Sequence, residues 1–229
     1  MDFTEFEKKI EVEFSDKSLL QQAFVHRSYI NENKSSGLEH NERLEFLGDA
    51  VLELVITDFL YKKYPEKDEG SLTAYRSSLV NADTCAGVAT KLGMGDYLLL
   101  SKGESKDIGR ARQYILANAL EALIGAIYID QGLDVAKNFI EKHFTPLIDS
   151  IISAGTFIDA KSLFQEKAQE FDGITPAYKT IKEIGPDHGK IFTVGVYVGR
   201  DLVATGTGES KQDAEQNAAK EALKIRGWN

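Results

Sequence analysis

The chain has 229 residues, 42% of them hydrophobic, a single cysteine and a formal net charge of −9. That length suits one large domain or two small ones with a real core, and a lone Cys85 excludes an internal disulfide framework and fits a reducing cytoplasm. Residues 1–5 lack a signal-peptide pattern, no apolar run reaches the roughly eighteen residues of a membrane span, and the acidic balance argues only weakly against nucleic acid, because affinity for phosphates follows local basic patches.

Thr4 with Glu7 reads as the capping box of a first short helix, and Asp16 as the cap of a second through Leu19, Leu20, Ala23 and Phe24. Residues 31–37 are polar and loop-like. The spacing of Leu47, Val51, Leu54, Val55 and Phe59 predicts a long helix over about 41–64. After Pro65 and a charged loop through Gly70, helices are predicted at about 71–80 and 82–92, the second ended by Gly93. Residues 102–109 form another loop, followed by a strong helix over about 110–129 and a further one over 133–144. Pro146 suits a first helical turn. Nothing to this point reads as a strand, so an all-α domain is expected over 1–152.

The texture changes after a short linker candidate, 153–157. In the stretch 158–228, residues 159–171 read as a helix, whereas 177–184, 190–198 and 201–207 alternate and carry β-branched residues. Gly199-Arg200-Asp201 is a tight hairpin signal, and the alanine-rich segment from Ser210 to Arg226 is a helix. The order α-β-β-β-α defines a second, small α+β domain.

Within the long helix, Asn41-Glu42-Arg43-Leu44-Glu45-Phe46-Leu47-Gly48-Asp49 places three carboxylates, Glu42, Glu45 and Asp49, at i, i+3 and i+7. Those spacings share one face beside Leu44, Leu47, Val51 and Leu52. Like charges repel and burial penalises the ionised form, so such a face is either a solvated acidic stripe or a site that needs a cation. A second element, Asn118 with Glu121, lies three apart in a run that is otherwise core. If the two helices pack, Glu121 and Asn118 complete an oxygen cage with Glu45 and Asp49.

On these residues the chain resembles the ribonuclease III family. The match runs almost letter for letter through 41–49 and extends through His26-Arg27-Ser28-Tyr29, Ser101-Lys102-Gly103-Glu104 and Ala122-Leu123-Ile124-Gly125. The resemblance implies a helical, homodimeric nuclease domain that cuts double-stranded RNA with magnesium, manganese being able to substitute. It also implies 5′-phosphate and 3′-hydroxyl ends, roles in rRNA and mRNA processing, and no small-molecule cofactor. Carried over by position, Glu45, Asp49 and Glu121 become metal ligands and catalytic acids, with Glu42 and Glu69 as supporting catalytic groups in the same valley. Phe46 becomes the side chain that inserts into the partner subunit, unless it is ordinary core. Arg110 and Arg112, at the start of the Glu121 helix, either hold an RNA phosphate or are solvated basics. One position departs from the pattern: Asn118 stands where the family usually has aspartate. An amide oxygen can ligate a hard cation but is neutral and cannot act as a base. The alternative this raises is a weak or inactive double-stranded RNA-binding protein.

The C-terminal segment resembles a double-stranded RNA-binding domain. The resemblance rests on Pro176-Ala177-Tyr178, on Gly185-Pro186-Asp187-His188, and on 206–211 leading into 214–219. It implies RNA contacts from Gln165 and Glu166 on the first helix, from Pro186 and His188 in the loop, and from Ser210, Lys211 and Gln212 at the second helix start. Such domains read A-form shape over about 16 base pairs. The glycines before Ser210 are expected to let backbone approach phosphate, and Ser210 to cap the helix. Lys211-Gln212 replaces the lysine pair the family often carries, so affinity is expected to be modest and sensitive to salt.

Overall fold

The computed structural model describes residues 2–106, 109–154, 160–186 and 189–228. The chain divides into two compact units, 1–157 and 158–229. Among the described residues the first unit is helical: α1 (Thr4–Ile10), α2 (Lys17–Ala23), α3 (Arg27–Glu32), α4 (Glu42–Lys63), α5 (Glu69–Val80), α6 (Ala82–Lys91), α7 (Arg110–Gln131), α8 (Leu133–Phe144) and α9 (Ile148–Ala154).

The caps explain most boundaries. Asp16 accepts from the Ser18 amide, Asp68 from Ser71 and Asn81 from Thr84, so each opens its helix with a side-chain acceptor. Gly93, at φ 70°, takes the left-handed conformation just after α6. The capping box expected from Thr4 and Glu7 does not form. Thr4 is already the first helical residue, and its amide donates to Asp2 Oδ1 at 2.9 Å, while Glu7 is buried and accepts from the Phe14 amide at 2.8 Å. Six-residue α3 was not anticipated, because it is too short to show a period; His26 Nδ1 accepts from the Ser28 amide to start it. Pro146 sits in a 3-10 turn, Thr145–Leu147, directly before α9.

Helices α4 and α7 form the centre. Leu44, Val51, Leu52, Val55, Ile56 and Leu60 of the first meet the almost wholly buried stretch from Ala117 to Ile127 of the second, in one cluster with α1, α2, α6 and α8. A helix apolar on nearly every side belongs inside a core. Any polar side chain on it is there at a desolvation cost.

The second unit contains α10 (Ala160–Asp172), β1 (Ala177–Ile184), β2 (Ile191–Val198), β3 (Asp201–Gly208) and α11 (Lys211–Arg226). The strands form an antiparallel sheet in the order β1-β2-β3, with the β2–β3 turn at Gly199 in the left-handed region, φ 63°. Phe164 and Ala168 of α10 pack with Val196, Val198, Ala204, Ala218, Ala219 and Leu223. Gly206 and Gly208 do a different job from the one expected. A Cβ on either would come to 2.5 Å from backbone atoms of Ala214, so these glycines let α11 lie down on β3 rather than keeping space for a phosphate.

Candidate active site and nucleic-acid interface

The site is set by how α4 and α7 cross. A Cβ on Gly48 would overlap the Glu121 carbonyl oxygen and sit 2.7 Å from the Gly125 amide nitrogen, and one on Gly125 would overlap the Leu44 carbonyl. The backbones therefore touch at a pair of glycines. Glu45 and Asp49 flank the contact on one helix; Asn118 and Glu121 precede it on the other. Neither glycine was singled out for this on the sequence, although both lie in the motifs that carry the resemblance.

The electrostatics show which groups share the site. Burial pushes the Glu121 carboxyl up to about 7, helped by the negative charges of Asp49 and then Glu45. Burial also raises Glu45, with Glu42 and Asp49 adding to the shift, while the Asn118 side chain donates to the Glu45 carboxylate and opposes it. Beneath them Cys85 is buried in α6, its thiol pushed up to about 12 by burial and then by Glu121 and Asp49. Glu45 is thus influenced by Glu42, Asp49 and Asn118, and Glu121 by Asp49 and Glu45. Among the described residues no three His, Cys, Asp or Glu side chains already form a metal-holding group. Three carboxylates and the neutral Asn118 amide make an acidic cluster within electrostatic range, not a closed cage. Their donors suit a hard divalent cation nonetheless: all are oxygens, and a bound cation would reverse the repulsion that now drives Glu121 toward protonation.

Glu42 lies at the edge of this cluster. Its Oε1 is 3.2 Å from Arg27 Nη1 and its Oε2 is 3.7 Å from His40 Nδ1. Arg27 lies in the 26–29 motif and His40 just before the 41–49 motif, and neither was expected on the sequence to meet Glu42. Glu69 opens α5, is exposed, and is not among the groups that shift Glu45 or Glu121. Phe46 is 81% exposed, which rules out its reading as core. The two arginines differ. Arg110 is exposed at the first position of α7, whereas Arg112 Nη2 donates to the Gly95 carbonyl at 3.0 Å and serves as a structural tie.

In the second unit, Gln165 of α10 and Lys211 and Gln212 of α11 line one groove together with Lys161, Ser162, Glu215 and Gln216. Glu166 lies beside Gln165 in a neighbouring hollow with Gln169 and Glu170. Lys161, not picked out on the sequence, pairs with Glu215 inside the groove. Lys211 Nζ is 3.1 Å from Glu183 and lies over the Phe192 ring, so an anion must compete for it. The Ser210 hydroxyl accepts from the Asp213 amide and donates to its carboxylate, which commits it to capping α11. Pro186 is exposed; His188 lies outside the described residues.

Both units match known families. Residues 16–148 match the family described as Ribonuclease-III-like, and residues 160–225 match the double-stranded RNA binding motif. The chain is 47% identical over 223 residues to Ribonuclease 3 of Borreliella burgdorferi, covering 96% of this chain and 90% of that protein. It is 44% identical over 224 residues to Ribonuclease 3 of Enterococcus faecalis, covering 96% of each. The solved nuclease domain of ribonuclease III from Campylobacter jejuni superimposes with a TM-score of 0.56 at 41% identity, covering 63% of this chain and 99% of that one. The chain belongs to the ribonuclease III family.

Proposed function

We propose that this double-strand-specific endoribonuclease of the ribonuclease III family hydrolyses phosphodiesters at the crossing of α4 and α7, with Glu45, Asp49, Asn118 and Glu121 holding a divalent cation, magnesium first. The observation that carries this reading is Glu121: a carboxyl on a core helix, pushed up to about 7 by burial and by two carboxylates from another helix. Such a placement is costly in a purely structural role and useful in a site that binds a cation. A divalent cation there supplies Lewis-acid activation of water and phosphate and offsets the charge that develops at phosphorus.

The protein's own groups do the rest. Asp49 is exposed on α4 and faces incoming RNA, while Glu121 is set deeper and would hold the cation in its ionised form. Glu45 sits between them, held by the Asn118 amide. Glu42 acts from the rim. Glu69 and Arg110 belong to the outer surface that RNA crosses. Gln165, Glu166, Pro186, Lys211 and Gln212 are proposed RNA contacts, His188 with them by position. The units 1–152 and 158–228 act as the nuclease and RNA-binding domains, joined by 153–157.

A homodimer is supported by one face of α4, where Phe46, Leu54 and Tyr61 are 81%, 58% and 72% exposed. Large apolar side chains recurring on one helix face mark an interaction surface. Two subunits would also present two linked RNA-binding domains at raised effective concentration. The reading of an inactive binding protein rests on Asn118 alone and gains no further support.

Long duplex RNA incubated with the protein and magnesium should be cut to fragments with 5′-phosphate and 3′-hydroxyl ends. A chelator or Glu121→Gln should stop the cutting. Equal cleavage in chelator would overturn the metal-dependent reading.

A further inference from the structure

We infer that Arg27, supported by His40, is a positioning residue for cleavage: it fixes the direction of the Glu42 carboxylate at the mouth of the acidic cluster. The inference rests on the reading of that cluster as the active site. Each Glu42 oxygen has its own basic neighbour, Arg27 Nη1 at 3.2 Å and His40 Nδ1 at 3.7 Å. That His40 nitrogen is buried and has no hydrogen-bond partner. A modest rotation of Glu42 would give it one.

The frame behind this clamp is rigid where the clamp itself is exposed. Asn41, immediately before α4, is 3% exposed; its side-chain amide donates to the Ala23 carbonyl at 3.1 Å and its backbone amide to Val25 at 2.9 Å. Gln22 Nε2 donates to the His40 carbonyl at 3.2 Å, and the His26 amide to Leu99 at 3.0 Å. Ser28 Oγ, one residue past Arg27, accepts from the Ser101 amide at 3.0 Å. The segment leading into α3 is therefore tied to the start of α4 by three hydrogen bonds, and the start of α3 is tied to segment 99–101 by two more. The backbones that carry Arg27 and Glu42 are thus held at a fixed separation, so the ion pair between them selects the Glu42 orientation that meets the guanidinium.

A guanidinium on one oxygen holds the Glu42 carboxylate in one orientation, so that its lone pairs point in a fixed direction at the mouth of the cluster. The pair itself is largely in solvent, with side-chain exposures of 63% and 43%. Pairs of that kind add little to folding stability, so orientation is the role left for it.

Steady-state cleavage of a duplex RNA by the full chain, with the variants R27A, R27K, E42Q, R27A/E42Q and E121Q, tests the clamp. R27A should lose about tenfold in kcat with KM unchanged, less than the hundredfold a displacement of about 1 Å can cost. R27K should recover part of it, since lysine keeps the charge but not the planar fork. In the E42Q background R27A should add nothing, because its only route is through Glu42. Its melting temperature should stay within about 2 °C of the parent. Duplex binding in chelator should keep the same salt slope.

R27A with undiminished kcat overturns the inference, and so does an R27A loss that is as large in E42Q as in the parent. A salt slope lower by about 1 would make Arg27 a phosphate contact instead and equally overturn it. E121Q separates the two levels. Full cleavage by E121Q would defeat the reading of the site itself, whereas an inactive E121Q beside an unimpaired R27A defeats the clamp alone.

Discussion

Gly48 and Gly125 stand back to back where α4 crosses α7, with the Gly48 amide nitrogen 3.1 Å from where a Cβ on Gly125 would lie. No other residue type fits at either position without moving a helix. The distance between Asp49 and Glu121 is thus set by two absent side chains. Gly48→Ala should therefore destabilise by more than the ~1–3 kcal/mol usual for overpacking, because the obstruction is backbone rather than a flexible side chain. Gly87→Ala is the control: it lies in α6 with nothing within 4 Å of the added Cβ. Helix propensity makes that change neutral or stabilising by up to about 1 kcal/mol. Denaturant unfolding of both variants checks the contrast, and equal midpoints would contradict it.

The position of Glu121 has a consequence for pH. Its carboxyl is pushed from an ordinary value of 4.5 up to about 7 in the metal-free protein. Between those values the unfolded chain releases the proton and the folded chain keeps it, so stability is lost as pH rises from about 4.5 through about 7 and is level above that. Magnesium needs the ionised form and competes with the proton, so magnesium affinity should rise with pH through the same window. Glu121→Gln should flatten the metal-free profile, raise the melting temperature above pH 7 and abolish cleavage. Melting curves from pH 4 to 9 with and without magnesium test all three.

Asn118 contributes a donor where the family usually has a further negative charge. Asn118→Asp removes the hydrogen bond to Glu45 and adds repulsion, so the metal-free protein should melt at lower temperature. The same change should lower the magnesium concentration needed for half-maximal cleavage by on the order of tenfold, since an added charge close to a divalent cation is worth several times RT. A magnesium titration of both proteins measures it. An unchanged midpoint would show that Asn118 is not at the metal.

Phe46 offers a test of assembly. At 81% exposure it packs little within its own subunit, so Phe46→Ala should leave chemical unfolding of the dilute protein nearly unchanged, within about 0.5 kcal/mol. Self-association should weaken by tenfold or more if it fills a pocket on the partner, as an aromatic anchor lost from an interface core costs about 2 kcal/mol. Sedimentation across a dilution series reads this directly. Equal dimer affinity would move the interface elsewhere on the surface.

Much of the fold was legible from local chemistry. Asp16, Gly93, Pro146, Ser210 and the hairpin at Gly199 each punctuate the chain where the sequence put them, because caps and turns depend on a few adjacent residues. The three acids at i, i+3 and i+7 announced a charged face on a buried helix for the same reason. The capping box at Thr4 failed because Asp2, two residues earlier, reaches the same amide first. The Gly206 and Gly208 pair was misassigned because a glycine's reason lies in whatever comes close to it, and that was α11.

Apart from the short α3, local sequence was enough to place the helices and strands, most of their ends, and the helices that carry the acids. Those outcomes follow from neighbours within a turn or two. Folding of the whole domain decided the rest: Gly48 meets Gly125, Glu121 is driven to about 7 by burial and then by Asp49 and Glu45, and Arg27 comes to 3.2 Å from Glu42. These are contacts between residues far apart in the chain. Close packing fixes them only when the whole core has closed.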